Sequence, residues 1–145
     1  MFLGRSEHTI DDKGRLIIPI RFRELLDRGA FVTQGFDRNL IVLTAAAFDQ
    51  IYAYVNQMSL TDPSARQLKR LMFSSAERVD VDKVGRILVP QYLRDMAQLK
   101  GDAVLTGAGA YFEIWSPENW EKQNALLQDA EANEHRFAAL NIPTL

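Results

Sequence analysis

The apolar residues of the chain fall in short runs that are separated by polar turns. In the N-terminal part these runs predict, in chain order, a strand over residues 6–10, a turn over 11–14, a strand over 16–18, a short helix over 20–28 and strands over 31–34 and 40–43. The run Leu16–Ile18 is aliphatic throughout, which predicts a strand that is buried on both faces. Pro19 suits the start of the short helix, because an N–H at that position would have no helical partner.

This arrangement occurs a second time, 71 residues further along the chain. An aspartate, a glycine, an arginine, three aliphatic residues, a proline and a second arginine recur in the same order, at Asp11, Gly14, Arg15, Pro19 and Arg23 and again at Asp82, Gly85, Arg86, Pro90 and Arg94. In each copy the aspartate can cap the turn, and the glycine supplies the positive φ that a tight turn requires. The chain therefore contains an internal repeat, two copies of one unit of roughly 60 to 70 residues.

A longer amphipathic helix follows each unit. After the first unit, Thr44 is the predicted N-cap of a helix whose apolar residues recur at helical spacing from Phe48 to Met58. After the second unit, Ser116 caps a helix that we expect to reach about Glu134. The predicted organisation is a first unit with its helix (1–58), a linker and connecting helix (59–76), a second unit with its helix (77–136), and a C-terminal tail (137–145).

The distribution of charge is more informative than the net charge of −2. Residues 1–112 contain 15 Lys and Arg against 13 Asp and Glu, a net +2, whereas residues 113–145 contain 2 against 6, a net −4. Twelve of the 17 basic residues are Arg, whose planar group can bind guanine and phosphate in a bidentate manner. The small net charge argues weakly against a nucleic-acid partner, but the basic excess of the first part keeps such a partner open.

Other classes of function have little support in the sequence. The chain has no cysteine, which excludes disulfides and thiolate metal sites. It has no bilayer-spanning apolar run and no signal-peptide pattern, so we expect a cytoplasmic protein without a membrane partner. His8 and His135 lie outside any metal-binding spacing, and Gly107–Ala110 lies between predicted strands, where it cannot form a phosphate cradle at a helix start. We therefore expect no enzyme, no catalytic residue, no metal, no cofactor and no small-molecule substrate.

The repeated motif carries a resemblance to a known family. The Asp-x-x-Gly-Arg turn, the aliphatic strand, the proline and the second arginine resemble the DNA-binding unit of AbrB-type (SpoVT-AbrB) proteins. Two such units in one chain, the start Met1–Gly4 and the segment Phe112–Trp115 are similar to the MraZ family of bacterial transcriptional regulators of the division and cell-wall gene cluster. The resemblance covers roughly residues 1–120 and does not extend to the later helix and tail.

The resemblance implies a fold and an assembly. It implies a β-rich α+β fold in which two AbrB-like swapped-hairpin units form one barrel with pseudo-two-fold symmetry, flanked by the amphipathic helices. Four short strands per unit leave open sheet edges, and a second copy is a suitable cover for them. The family also implies a homo-oligomer that closes into a ring. Ring closure requires a heterologous interface, for which the longer helices are the candidates.

The resemblance also implies a partner, double-stranded DNA, which a repressor of this kind would bind at short direct repeats in its own promoter, in association with the nucleoid. Arg15 and Arg86 stand at the same point of both units and are the predicted base contacts, with Lys13 and Arg5 as further DNA contacts. Because Val84 takes the place of Lys13 in the second unit, a basic contact there belongs to the first unit alone. The predicted turn and orienting residues are Asp11, Gly14, Asp82 and Gly85.

Two questions stay open at the level of sequence. Arg21, Arg23 and Arg94 could contact phosphates or be surface charges, and the last two could instead pair with an Asp or Glu inside the fold. The alternative function is a protein-interaction module, as in AbrB-like antitoxins that neutralise a partner protein through a tail. The acidic C-terminal stretch keeps this alternative open, although antitoxins usually carry one such unit per chain.

Overall fold

The computed structural model of the chain describes residues 1–143 and has the α+β class that the sequence predicts. Within these residues the strands are β1 (Arg5–Thr9), β2 (Arg15–Ile17), β3 (Ala30–Gln34), β4 (Leu40–Thr44), β5 (Glu77–Val79), β6 (Arg86–Leu88), β7 (Asp102–Gly107) and β8 (Tyr111–Trp115). The α-helices are α1 (Ile20–Arg23), α2 (Ala45–Asn56), α3 (Pro63–Phe73), α4 (Gln91–Met96), α5 (Pro117–Leu127) and α6 (Ala130–Phe137). Single 3-10 turns follow α1 and α6, at Glu24–Leu26 and Ala138–Leu140.

The two units interlock through their strand pairing. The main sheet has six antiparallel strands in the order β1-β7-β8-β4-β3-β5. Strand β1 of the first unit pairs with β7 of the second, and β5 of the second pairs with β3 of the first. Exchanging the two units maps this order onto itself, so a pseudo-two-fold axis passes between the central strands β4 and β8. Each unit therefore supplies an edge strand to the half of the sheet that the other unit builds.

Strands β2 and β6, one from each unit, form a separate two-stranded antiparallel sheet, which we call the ribbon. Its inward side chains, Leu16 and Ile87, are 0% and 1% exposed and lie in a core with Phe22, Val42 and Phe112 from the main sheet and α1. Hydrogen bonding thus divides the described strands between two packed sheets, and the closed swapped-hairpin barrel stays a prediction.

The helices α2 and α3 cover the opposite face of the main sheet. Phe48 of α2 and Met72 of α3 pack against Ile41 and Leu43 of β4, in a second cluster that is separate from the core under the ribbon. Thr44 caps α2 as predicted, because its hydroxyl accepts a hydrogen bond from the backbone N–H of Ala47 at 3.1 Å. The ribbon and α3 therefore lie on opposite sides of the main sheet.

The expectation that Leu16–Ile18 is buried on both faces is wrong for its central residue. Ile17 is 49% exposed, and Leu88, its counterpart on β6, is 55% exposed. The ribbon is covered on one face only, so its side chains alternate between the core and solvent. The aliphatic composition of the run hides this alternation from sequence analysis.

The C-terminal helix is also different from the prediction. It does not continue to Glu134 but ends at Leu127, and α6 starts at Ala130. Asp129 causes the restart, because its carboxylate accepts a hydrogen bond from the backbone N–H of Ala132 at 3.1 Å and so caps a new helix. The predicted tail includes the 3-10 turn after α6, and residues 144 and 145 lie outside the described part of the chain. Within residues 1–143, no helix has the length and apolar character that crossing a bilayer requires.

The interlocked sheet should unfold as one cooperative unit. Leu16→Ala and Ile87→Ala remove fully buried side chains from different units, and each should lower the free energy of unfolding by about 2 to 5 kcal/mol. Both changes should shift the same transition in a thermal melt followed by circular dichroism. Leu60→Ala, at an exposed position between α2 and α3, is the control and should leave the melting temperature nearly unchanged. Two separate transitions, each sensitive to one variant, would contradict this expectation.

Candidate nucleic-acid interface

The first Asp-x-x-Gly-Arg segment folds into a turn that one carboxylate holds together. Oδ1 of Asp11 accepts hydrogen bonds from the backbone N–H groups of Lys13 at 3.0 Å and Arg15 at 2.9 Å. Oδ2 of Asp11 accepts one from Nε of Arg15 at 2.6 Å. Gly14 has a φ of +90°, a conformation that strains any residue with a Cβ. The aspartate therefore closes the turn and orients the arginine at its end.

The second segment repeats this geometry. Oδ1 of Asp82 accepts hydrogen bonds from the backbone N–H groups of Val84 at 3.0 Å and Arg86 at 2.8 Å. Oδ2 of Asp82 accepts one from Nε of Arg86 at 2.9 Å. Gly85 has a φ of +87°. We refer to residues 11–15 as the first turn and to residues 82–86 as the second turn.

These contacts keep both aspartates ionised. The backbone N–H of Arg15 is the main cause that lowers the pKa of Asp11, and the side-chain hydrogen bond and charge of Arg15 add to it. Arg86 lowers the pKa of Asp82 in the same way. Because the pKa of each carboxyl is lower in the folded protein, its ionised form stabilises the fold. This stabilisation is fully present at a pH above the ordinary pKa near 3.8, and it is lost as the pH falls through the lower pKa of the folded state. Both turns are therefore fully formed at neutral pH.

The ribbon brings the two arginines to one surface. Its register pairs Arg15 with Leu88 and Ile17 with Arg86, so these four residues share its outer face. The arginines are diagonal neighbours, and in such a pair the Cα atoms are roughly 7 to 8 Å apart. The two turns lie at opposite ends of the ribbon, because its strands are antiparallel. The outer face thus presents two oriented guanidinium groups with exposed aliphatic side chains between them.

The two turns differ at two exposed positions. Asp12 of the first turn corresponds to Lys83 of the second. Lys13 lies at the tip of the first turn, and Val84, 61% exposed, takes the corresponding place in the second. Both residues donate their backbone N–H to the turn aspartate, so the difference concerns only the side chain. Each turn therefore carries one exposed lysine, at a different position, and Asp12 adds a negative charge to the first turn alone.

The structure does not bring Arg5 into the same cluster. Arg5 begins β1 in the main sheet, and its guanidinium lies 5.7 Å from the ring centroid of Trp120 on α5. Arg21 on α1 donates from Nε to the carbonyl oxygen of Leu3 at 3.4 Å. Their proposed contacts with DNA stay predictions, and they would be made away from the ribbon's outer face.

Arg23 and Arg94 have a role that sequence analysis missed. Within residues 1–143 neither forms an ion pair with a carboxylate, so of the alternatives left open by the sequence, the internal Asp or Glu partner is excluded for these residues. Their Nε groups instead donate to the carbonyl oxygens of Ile18 at 2.6 Å and Val89 at 3.0 Å, directly after the two ribbon strands. The signal that could have found this role is the repetition of both arginines four residues after a proline in each unit.

The described part of the chain has no cluster of side chains suited to binding a metal ion. Residues 1–143 contain no group of three or more His, Cys, Asp and Glu side chains placed to hold a metal ion. His8 bonds with the Ser6 hydroxyl at 2.7 Å, and burial together with the nearby Arg21 lowers its pKa. The candidate site is the pair of oriented arginines on the ribbon.

Comparison with known proteins matches the chain in two consecutive parts. The sequence model of a family described as "MraZ protein, putative antitoxin-like" matches twice, over residues 1–71 and 72–141. A protein of Roseiflexus castenholzii named transcriptional regulator MraZ is 44% identical over 138 residues, which cover 95% of this chain and 94% of the relative.

Two further relatives carry the same name. That of Herpetosiphon aurantiacus is 46% identical over 121 residues, covering 83% of this chain and 85% of the relative. That of Heliobacterium modesticaldum is 44% identical over 124 residues, covering 86% and 87%. The double match and these identities, over nearly the whole chain, show that the protein belongs to the MraZ family of transcriptional regulators.

Proposed function

We propose that the chain is a sequence-specific DNA-binding repressor of its bacterium's division and cell-wall gene cluster, which binds short direct repeats in its own promoter. The observation that carries this proposal is the outer face of the ribbon. There Arg15 and Arg86 lie together, and each is tied through Nε to the aspartate of its own turn. Membership of a family of transcriptional regulators supports the class of function.

Base recognition follows from the donors that remain on each arginine. A guanidinium has five N–H donors, and the aspartate engages the one on Nε. The terminal amino groups of Arg15 and Arg86 can then bond O6 and N7 of a guanine, the bidentate contact that discriminates most strongly in the major groove. That groove admits a two-stranded β-ribbon, which is the shape that β2 and β6 form.

Other groups hold the DNA without reading its sequence. Lys13 at the tip of the first turn can contact a phosphate beside the groove, and Arg5 on β1 can reach the backbone further along. Such contacts fix the position of the protein on the duplex. The acidic residues after position 112 belong to β8 and the C-terminal helices, so their net charge of −4 lies outside the ribbon.

The same chain would assemble into a closed ring. Helices α5 and α6 have no buried residue, although they and the following turn carry the exposed apolar side chains Leu126, Leu127, Phe137, Leu140 and Ile142. Apolar side chains grouped in this way mark interaction surfaces. A contact between this region and a different surface of the next copy is heterologous, and a heterologous contact can close a ring.

Within each subunit, the interlocked units would correspond to the swapped-hairpin barrel of AbrB-type proteins. The DNA-bound ring would be associated with the nucleoid.

One observation favours a second function. The matching family is described as antitoxin-like, and the exposed apolar residues of α6 could bind a partner protein instead of another copy. A pull-down distinguishes the two functions, since one stoichiometric partner protein supports the antitoxin-type module. Retention of the protein on its own promoter fragment supports the regulator.

Loss of either ribbon arginine should weaken binding without unfolding the protein. Arg15→Ala should cost about 1 to 3 kcal/mol of binding free energy and relax the preference for a guanine-rich site. Arg86→Ala should act similarly but less severely, because Val84 replaces the lysine beside it. Gel shifts with circular dichroism measure both effects. Arg70→Ala is the matched control, since Arg70 is exposed on α3 at the opposite side of the main sheet. Unchanged affinity in folded Arg15→Ala and Arg86→Ala proteins would remove these residues from the site.

The turn aspartates should respond differently to two substitutions. Asp11→Asn keeps an oxygen that can cap the turn, so its effect on thermal stability should be mild, although an amide NH2 group replaces the oxygen that accepts from Arg15 Nε. Asp11→Ala removes all three hydrogen bonds and should release Arg15 from its position. Thermal melts and binding isotherms of both variants are compared between pH 6 and 8, where the wild-type carboxylate stays ionised because its pKa is depressed. Equal damage from Asn and Ala would show that the charge itself, rather than the cap, holds the arginine.

Affinity should depend on the number and spacing of the DNA elements. One ribbon touches only a few base pairs, which supplies little specificity against a genome. A ring that engages several elements gains avidity on the order of 10²- to 10⁴-fold. Ring subunits are related by rotation, so the elements should be direct repeats about 10 base pairs apart, one helical turn. Shifting one repeat by half a turn, with its sequence intact, should sharply reduce affinity in a gel shift. Full-strength binding to the shifted template or to a single element would contradict the multivalent mechanism.

A further inference from the structure

The backbone of each turn is held by the other unit. The carbonyl oxygen of Gly14 in the first turn accepts a hydrogen bond from the N–H of Val89, at 2.8 Å, and Val89 belongs to the second unit. The carbonyl oxygen of Gly85 in the second turn accepts one from Ile18 of the first unit, at 2.9 Å. Each turn is therefore hydrogen-bonded to the residue that follows the ribbon strand of the other unit.

An arginine completes each of these supports. Arg94 donates from Nε to the carbonyl oxygen of Val89, and its guanidinium lies against Gly14. A Cβ atom at Gly14 would lie 2.9 Å from the guanidinium carbon of Arg94 and 2.6 Å from the Val89 oxygen, so only a glycine fits. The guanidinium of the second unit thus fills the space beneath the turn of the first.

The reciprocal contact has the same form. Arg23 of the first unit donates from Nε to the carbonyl oxygen of Ile18, at 2.6 Å, and its guanidinium lies against Gly85 of the second turn. A Cβ atom at Gly85 would collide with that guanidinium. The chain therefore contains two equivalent supports, and in each one an arginine packs under the turn of the other unit.

We infer that Arg94 and Arg23 are positioning residues that act crosswise: Arg94 of the second unit sets the place of Arg15, and Arg23 of the first unit sets the place of Arg86. The inference rests on the proposed function and adds two residues that determine its geometry. It differs from the alternative of direct phosphate contacts. The Nε of each arginine donates a hydrogen bond to a carbonyl oxygen, and each guanidinium group packs against a glycine of the other unit.

The planar shape of the guanidinium is what this role requires. Lysine keeps the positive charge, but its compact ammonium group cannot bond the Val89 carbonyl and fill the space beside Gly14 at once. Arg94→Lys should therefore reduce DNA affinity about five- to thirty-fold, within the range of couplings between contacting residues. A phosphate ligand would tolerate the same change, since lysine also binds phosphate.

A double-mutant cycle tests the crosswise direction. Arg94→Lys should have almost no further effect in an Arg15→Ala protein, because the residue that it positions is gone, and should have its full effect in an Arg86→Ala protein. Arg23→Lys is the matched control and should show the opposite pattern. Equal effects of Arg94→Lys in both backgrounds would overturn the inference in favour of a general structural role. Wild-type affinity of Arg94→Lys, with a salt slope lowered by about 1 in Arg94→Ala, would overturn it in favour of a phosphate contact.

A second measurement uses no DNA and so separates this inference from the proposed function. Hydrogen exchange followed by mass spectrometry on the full chain should become faster over residues 11–15 in Arg94→Lys and over residues 82–86 in Arg23→Lys. Acceleration of both segments by either variant, or of neither, would overturn the crosswise assignment. Arg94→Gln, whose shorter side chain leaves the space beside Gly14 unfilled, replaces Arg94→Lys if the lysine variant does not fold, and the same local pattern is expected. Failure of the wild-type protein to bind promoter DNA would refute the proposed function. The exchange result would still decide whether Arg94 and Arg23 hold the turns in place.

Discussion

Strands β2 and β6 form their ladder only with each other, and they come from different units. Apart from the bridge between Ile10 and Leu16, neither has another strand partner within residues 1–143. This single pairing fixes two things at once. It buries Leu16 and Ile87 in the shared core, and by the alternation of a strand it turns Arg15 and Arg86 outward on one face. The stability of the core and the geometry of the candidate site therefore have the same cause.

The arginines are oriented before any ligand arrives. Each turn aspartate uses one oxygen for two backbone N–H groups and the other for the arginine Nε, so the carboxylate that closes the turn also restricts the side chain. A long side chain that is already restricted loses less conformational entropy when it binds. In the proposed function, the negative charge of the carboxylate would reduce the long-range attraction of the ribbon for DNA. The arrangement would then favour selectivity at a short element over strong nonspecific affinity.

Sequence analysis succeeded where the determining interactions are local. The turn, the caps of α2 and α5 and the repeated order of elements depend on residues within a few positions of one another, and all are present. It failed where the partner is distant in sequence. The exposure of Ile17 depends on what covers the ribbon, and the role of Arg94 depends on Gly14 in the other unit. The break before Ala130 had a local signal in Asp129, which also stabilises a helix start, but the continuing polar pattern concealed it. The number of copies in an assembly and the sequence of a DNA site depend on other molecules, so they do not follow from this chain alone.

The sequence difference between the two turns has a consequence for the direction in which the proposed DNA site would be bound. A ribbon with true two-fold symmetry would bind an element equally well when the element is inverted. In this ribbon the first turn has Asp12 and Lys13 where the second has Lys83 and Val84, so its two ends differ in charge. On a duplex bound as proposed, the two orientations of the ribbon would therefore be unequal in energy, because they would place these charges beside different phosphates. Each element would acquire a polarity, and every subunit on one duplex would face the same way along it.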